Sequence, residues 1–127
     1  MSEKSVAQKL GLKPGGTLFV SHAPAAVGDL LGATPEGARV TETGKMPFPL
    51  ILLFAGDHAA MAKQLPLCKT KLESGGALWL AYAKGTSSKA TDINRDGIRE
   101  YVATIGLDTV ARIAIDADWS ALRLKVV

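Results

Sequence analysis

Leu50-Ile51-Leu52-Leu53-Phe54 is an unbroken apolar run near the middle of the 127-residue chain. In an extended conformation it presents apolar side chains on both faces, which is typical of a central strand in a parallel sheet. Parallel strands require long crossover connections, and these are usually helical. The run therefore predicts an α/β fold, and the rest of the chain is interpreted outward from it.

Further strands are predicted on both sides of this run. Thr17–Ser21 and the weaker Arg39–Glu42 precede it. Ala77–Tyr82 follows it, after a turn at Gly75 and Gly76, as a second strand buried on both faces. Val110–Ile115 and Leu122–Val126 come last, and the five residues between Ile115 and Ala121 have the length of an antiparallel hairpin turn. The pattern predicts a sheet that ends in an antiparallel pair.

Helical patterns alternate with these strands. A short helix is predicted over Val6–Leu10 and a second from Pro24 to Leu31. A third is predicted from Asp57 to Leu72, and Pro66 is expected to disturb or break it. The apolar residues of Ile98–Ile105 recur at helical spacing and predict a fourth helix.

The predicted fold class is therefore α/β, a single-domain three-layer Rossmann-like sheet, mostly parallel, with a C-terminal antiparallel hairpin. The domain is expected to cover residues 1–127, with an N-terminal helix and a Gly/Pro-rich entry segment over residues 1–16. In open sheets of this class, ligands bind outside the carboxyl ends of the strands. Candidate site residues are sought there.

Composition and charge exclude several classes of function. Fifteen Lys and Arg against twelve Asp and Glu give a net charge of +3 with no basic arm, which argues against nucleic-acid binding. The longest apolar run, Phe48–Gly56, is about half of the roughly 20 residues that a membrane-spanning helix needs. The single Cys68 cannot form an intrachain disulfide, and without a CxxC partner or a nearby histidine its thiol is expected to be inert. Met1–Ser5 lacks the build of a secretory signal. These features predict a cytoplasmic protein.

Three groups of residues carry a family resemblance. The order of elements, with Glu73–Leu80 entering a late parallel strand ahead of a terminal hairpin, resembles a shortened class I S-adenosylmethionine-dependent methyltransferase. More closely, Ala83–Ser88, Asp92–Arg99 and Trp119–Arg123 resemble signature stretches of a family of short bacterial proteins classed as a domain of unknown function. This second resemblance covers nearly the whole chain. It implies a reduced Rossmann-like fold and brings no activity with it.

The chain departs from the methyltransferase pattern at the cofactor turns. Where those enzymes carry an acidic, glycine-rich turn after the first strand, Ser21–Gly28 contains Pro24 and no carboxylate. Phe54–Asp57 stands where amino-group methyltransferases carry Asn-Pro-Pro-Tyr. Glu42 alone matches the acidic residue that binds ribose hydroxyls in the family. No cofactor is therefore expected, and S-adenosylmethionine is disfavoured.

The polar segment from Lys84 to Asp92 is the strongest candidate for a binding loop. It connects a buried strand to a helix, where backbone N–H groups and the helix dipole favour an anion. It lacks the second glycine of a Walker A loop, and the competing interpretation is a solvated loop that caps the next helix. The residues expected to contact a small anionic or phosphorylated ligand are Lys84, Ser87, Ser88, Lys89, Asn94 and Arg95, with His22 at the rim.

Three other groups of residues partly match known catalytic or metal-binding motifs. Gly85–Lys89 contains half of a serine-hydrolase elbow, but Lys89 replaces the second glycine. Asp92–Gly97 copies the start of a calcium loop without its twelfth ligand. His22, Asp57 and His58 would gather at one sheet edge, yet Asp57 is better explained as a helix cap. No catalytic or metal-binding residue is assigned.

The expected function is a cytoplasmic, non-catalytic α/β domain that binds a small anionic ligand at the carboxyl edge of its sheet. One alternative is a protein-interaction module on a degenerate enzyme fold. The other is a residual S-adenosylmethionine-dependent methyltransferase that uses Glu42. A small anionic ligand or a protein is the expected partner, and nucleic acid and membrane are not.

Overall fold

The computed structural model describes residues 5–22, 30–42, 47–83, 93–115 and 118–126. Six strands form one sheet: β1 (Thr17–Ser21), β2 (Arg39–Thr41), β3 (Phe48–Phe54), β4 (Leu72–Ala83), β5 (Leu107–Ala114) and β6 (Trp119–Val126). Three helices have both ends within these ranges: α1 (Val6–Lys9), α2 (His58–Lys71) and α3 (Arg95–Thr104). Leu30 and Leu31 are also helical. No helix of the described segments is long and apolar enough to cross a membrane.

The strand order is β2-β1-β3-β4-β6-β5. β1 lies parallel to β2 and to β3, and β3 lies parallel to β4. β6 is antiparallel to both of its neighbours, β4 and β5, so β5 runs in the same direction as the first four strands. The predicted mostly parallel α/β sheet with an antiparallel C-terminal pair is confirmed. Because β6 inserts between β4 and β5, the outer edge is formed by β5.

Alternation along the central strands builds two hydrophobic layers, one on each face of the sheet. Ile51 and Leu53 of β3 pack on the face covered by α2 and α3. Leu50 and Leu52 pack on the opposite face, which is covered by α1 and the helical Leu31. The predicted run is thus buried on both faces because helices cover both, which makes the fold three-layered.

Pro66 was expected to disturb or break α2; it lies inside the helix without ending it, so the helix is disturbed locally and not broken. A proline has no N–H to donate to the carbonyl four residues earlier, which here belongs to Ala62. The Tyr101 hydroxyl of α3 donates to that carbonyl at 3.1 Å. A neighbouring side chain thus supplies the bond that Pro66 removes, and the helix continues to Lys71.

The start of β4 is irregular in pairing. Gly75 and Gly76 were predicted as a turn before the strand, but α2 passes directly into β4 and both glycines lie within it. Leu72 pairs with Phe48 and Ala77 pairs with Leu50, so four residues of β4 oppose one residue of β3. This bulge replaces the predicted loop.

Trp79 ties the N-terminal segment to the sheet. Its side chain is buried in the central strand β4, as predicted, and its Nε1–H donates to the Leu10 carbonyl at 2.9 Å. Trp119, predicted to lie in the hairpin turn, instead begins β6 and packs edge-on against Phe54. The turn is therefore shorter than the sequence pattern indicates.

Candidate functional site at the carboxyl edge of the sheet

The carboxyl ends of β1, β2, β3 and β4 lie at one edge of the sheet, because these strands are parallel. β2, the next strand in the sequence, pairs with one side of β1, and β3 pairs with the other side of β1. The strand order therefore reverses between β1 and β3. In open α/β sheets the crevice at such a switch point is the usual ligand site.

His22 directly follows β1 at this switch point and has a left-handed backbone. Its φ is +57°, and among the described segments no other non-glycine residue has a positive φ. Residues other than glycine adopt this left-handed backbone conformation at a cost in free energy, and residues that do so concentrate at functional sites. Ser21 Oγ and His22 Nδ1 lie 2.8 Å apart in hydrogen-bond contact, and the histidine is exposed. The ring is thus anchored by one nitrogen and presents the other.

The turn after β3 lies beside it. Ala55 is buried, and its N–H donates to the Ala81 carbonyl of β4 at 3.0 Å. Gly56 is exposed, and a Cβ built there would meet no atom within 4 Å. Asp57 caps α2, its carboxylate accepting the Ala60 N–H at 2.8 Å, which confirms the capping interpretation. Small residues therefore leave open space next to a helix N-terminus.

Glu42 brings a carboxylate to the same edge. It follows the last residue of β2, one position beyond the register pair Phe19–Thr41, and it is exposed. Since β2 pairs with β1, Glu42 lies on the β2 side of the switch point and Gly56 lies on the β3 side. His22, Glu42 and Ala55, which directly follow β1, β2 and β3, are thus neighbours along the edge.

The predicted anion-contact residues divide into two groups. Lys84, Ser87, Ser88 and Lys89 lie outside the described residues. Asn94 caps α3, and its Oδ1 accepts the Gly97 N–H at 2.9 Å. Arg95 lines a groove with Thr109, Ala111 and Leu122 on β5 and β6.

Arg95 and His22 belong to separate parts of the edge. The groove that Arg95 lines reaches β5, and β5 is four strand positions from β1. At about 4.8 Å per strand this separation is roughly 19 Å. Of the described candidates, His22 is the one at the switch point. Sequence spacing alone carried no signal for its strained backbone or for the open space at Gly56.

His58 and Cys68 are two further residues with potentially reactive side chains. The His58 ring packs edge-on against Tyr101, with ring centroids 5.7 Å apart. Among the residues that the structure describes, no group of three or more His, Cys, Asp or Glu is placed to hold a metal ion. Cys68 is buried on α2, and burial raises the pKa of its thiol, while contact with Ser21 and the charge of Lys71 oppose that rise. A protonated, buried thiol is unreactive, as the sequence predicted.

Comparison with known proteins identifies solved structures of the same fold. A SAM-dependent methyltransferase from Aquifex aeolicus matches with a TM-score of 0.62 and 11% identity, covering 96% of this chain and 88% of that chain. The ribosomal protein L11 methylase from Lactobacillus delbrueckii subsp. bulgaricus matches with a TM-score of 0.61 and 11% identity, covering 94% and 74%. No family model and no curated protein sequence matches the chain.

A third match was solved with a ligand. The glycopeptide N-methyltransferase MtfA complexed with sinefungin has a TM-score of 0.56 and 12% identity, covering 95% of this chain and 83% of that chain. MtfA also matches in its complex with (S)-adenosyl-L-methionine. At these identities the likeness shows the fold, which is that of S-adenosylmethionine-dependent methyltransferases.

Two sequence expectations are corrected by these matches. The leading interpretation, a non-catalytic domain for a small anionic ligand, is wrong, because the solved structures that match are methyltransferases and favour the methyltransferase alternative. The expectation of no cofactor is likewise wrong, because matching structures hold S-adenosylmethionine or sinefungin. The order of the elements thus indicates the fold correctly, although the turn sequences depart from the methyltransferase pattern. What the comparisons establish for this chain is a class I methyltransferase-like fold.

Proposed function

We propose that this protein is an S-adenosylmethionine-dependent methyltransferase that binds its cofactor at the carboxyl edge of the sheet. The observation that carries the proposal is the reversal of strand order between β1 and β3, where His22, Glu42 and Ala55, the residues that directly follow β1, β2 and β3, lie at one edge of the sheet. Switch points are the ligand sites of open α/β sheets. The matching methyltransferases support this assignment through their shared fold.

The residues at this edge fit the cofactor's chemical groups. The exposed Glu42 carboxylate can accept two hydrogen bonds from a ribose diol, the role that the family resemblance assigns to its position. Gly56 leaves open space in which a flat adenine ring can approach the backbone. The left-handed His22 turns the chain at the end of β1, as a close approach of backbone to ligand requires.

When bound, the cofactor supplies a methyl group on a positively charged sulfur, which a nucleophile on the acceptor attacks. Glu42 would orient the nucleoside by holding its hydroxyls. His22 would take up the acceptor's proton: in the tautomer whose Nδ1–H donates to Ser21 Oγ, the Nε2 lone pair is free. Ser21 would hold the ring in that orientation.

Calorimetric titration with S-adenosylhomocysteine tests the proposal. Glu42→Gln should weaken binding by roughly tenfold or more, because hydrogen bonds to a charged group contribute about 1.5–3 kcal/mol. Glu36→Gln is the matched control, since Glu36 is also exposed but precedes β2 at the opposite edge. Absence of binding at millimolar ligand, or equal weakening by both substitutions, would contradict the proposal.

Two sequence expectations remain proposals beside this one. A cytoplasmic location is supported by the single, buried and unpaired Cys68, because disulfides are typical of oxidising compartments. The resemblance to a bacterial family of unknown function is supported by the stretches that carry it. A protein partner also remains a proposal, which size measurements in solution would test.

A further inference from the structure

A cavity opens at the amino edge of the sheet, at the end opposite His22 and Glu42. It has a volume of about 650 Å³ and is lined by the start of β4, the end of β6, one residue of β5 and one of α2. Small-molecule sites commonly have volumes of about 300–1,000 Å³. From Gly76 to the end of β4 at Ala83 the strand spans roughly 23 Å at about 3.3 Å per residue, so this cavity is separate from the proposed cofactor crevice.

Both interruptions of the sheet's pairing face this cavity. The first is the bulge in β4, where Glu73–Gly76 oppose Pro49. The second is in β5, where the register shifts between Thr109 and Ala111 and leaves Val110 as the extra residue. Bulges re-aim side chains and occur often next to functional sites. Here they open a hollow that regular strands would close.

The charge of the lining is strongly unbalanced. Lys69, Arg123 and Lys125 contribute three cations, and Glu73 contributes the single carboxylate. Lys69 Nζ donates to the Ile105 carbonyl at 2.6 Å, which leaves two of its three N–H donors for other partners. The three cations outnumber the nearby carboxylates, which are Glu73 in the lining and Asp108, the register partner of Lys125. The cavity therefore carries a net positive charge.

The rim is apolar. Four large hydrophobic side chains are exposed among the described residues, and two of them, Val110 and Val126, line this cavity with exposed fractions of 49% and 52%. Leu72 adds a half-buried apolar wall. Exposed apolar side chains beside a charged hollow suit a ligand that has both an apolar body and a negatively charged group.

We propose that this amino-edge cavity, lined by Lys69, Glu73–Gly76, Val110 and Arg123–Val126, binds a small amphipathic carboxylate. The carboxylate lies against Arg123 and Lys125, where the guanidinium can donate two parallel hydrogen bonds. The alkyl or aryl part lies against Val110, which the β5 bulge places next to Ala111, the register partner of Arg123. Nothing in the proposed methyl transfer uses these residues, so the site is a separate binding function.

Calorimetric titration with octanoate tests this proposal. Octanoate should bind, and the double variant Arg123→Gln/Lys125→Gln should bind it at least about tenfold more weakly. The control Lys63→Gln changes an exposed lysine of α2 outside the cavity and should bind octanoate like the parent protein. Octanol has the alkyl chain without the negative charge, and inorganic phosphate has negative charge without the chain. Each should bind at least tenfold more weakly than octanoate.

A second variant guards against loss of folding in the double variant. Val110→Glu places a negative charge at an exposed rim position and should also weaken octanoate binding about tenfold while thermal unfolding stays cooperative. The proposal is overturned if octanoate does not bind at millimolar concentration. It is also overturned if the cavity variants bind like Lys63→Gln, or if octanol binds as tightly as octanoate.

Discussion

Gly76 is the residue whose replacement should disturb the fold most directly. A Cβ at this position would lie 2.9 Å from the carbonyl oxygens of Glu73 and Pro49, and both are backbone atoms that cannot move independently. We expect Gly76→Ala to reduce the free energy of unfolding by about 1–3 kcal/mol, as overpacking does. Urea unfolding measures this change.

Gly56→Ala is the matched control for that experiment. Its Cβ would meet no atom within 4 Å, so we expect a change of no more than about 0.5 kcal/mol. If the Gly76→Ala variant is as stable as the Gly56→Ala variant, the β4 bulge does not pack closely against β3. The sequence identified the glycine pair but interpreted it as a turn, because the steric need arises from a carbonyl of another strand.

Cys68 should make stability depend on pH in the alkaline range. Burial raises the pKa of its thiol above the ordinary 9.0, so the unfolded chain loses this proton first as pH rises. The associated stability is therefore complete below pH 9.0 and is lost as pH rises through the folded-state pKa. Cys68→Ala should lose less stability than the parent protein between about pH 8 and 10 in urea unfolding. Parallel pH profiles would contradict this account.

At the scale of the element, α2 depends on its neighbour α3. Pro66 removes the backbone donor to the Ala62 carbonyl, and Tyr101 replaces it. Tyr101→Phe should therefore cost about 1 kcal/mol of stability, because the carbonyl then has no partner. In a Pro66→Ala background the backbone N–H is restored, and the same Tyr101→Phe change should cost clearly less. Equal costs in both backgrounds, measured as a double-mutant cycle, would contradict the proposed role of Tyr101.

The elements themselves could be predicted largely from local patterns. The Leu50–Phe54 run and the alternation of strands with helices were sufficient to predict the fold class. A strand that is buried on both faces has a continuous apolar sequence, which can be recognised directly. The continuation of α2 through Pro66 could not be predicted, since it depends on the hydroxyl of Tyr101, which lies 39 positions after its acceptor Ala62. The insertion of β6 inside the sheet likewise depends on long-range pairing.

At the scale of the whole molecule, the parallel strands bring three turns to one edge and the two bulges open a cavity at the other. The location of the carboxyl-edge site could be predicted from the sequence because it follows from the direction of the strands. Its chemistry could not, because Ser21–Gly28 lacks the acidic, glycine-rich turn that marks a cofactor site in the sequence. The sequence marks Glu42 as a candidate for binding ribose hydroxyls. Its place in the candidate site depends on the pairing of β2 with β1, which is a long-range contact.

The most direct test of the central claim is a map of backbone amide shifts during titration with S-adenosylhomocysteine. The account predicts that the amides of Ser21, His22, Glu42 and Ala55–Asp57 shift together with saturation. The amides of Glu73–Gly76, at the opposite edge, should remain in place. If no amide shifts, or if the shifts concentrate at Glu73–Gly76, the cofactor site is not at the β1–β3 switch point and the proposed function is contradicted.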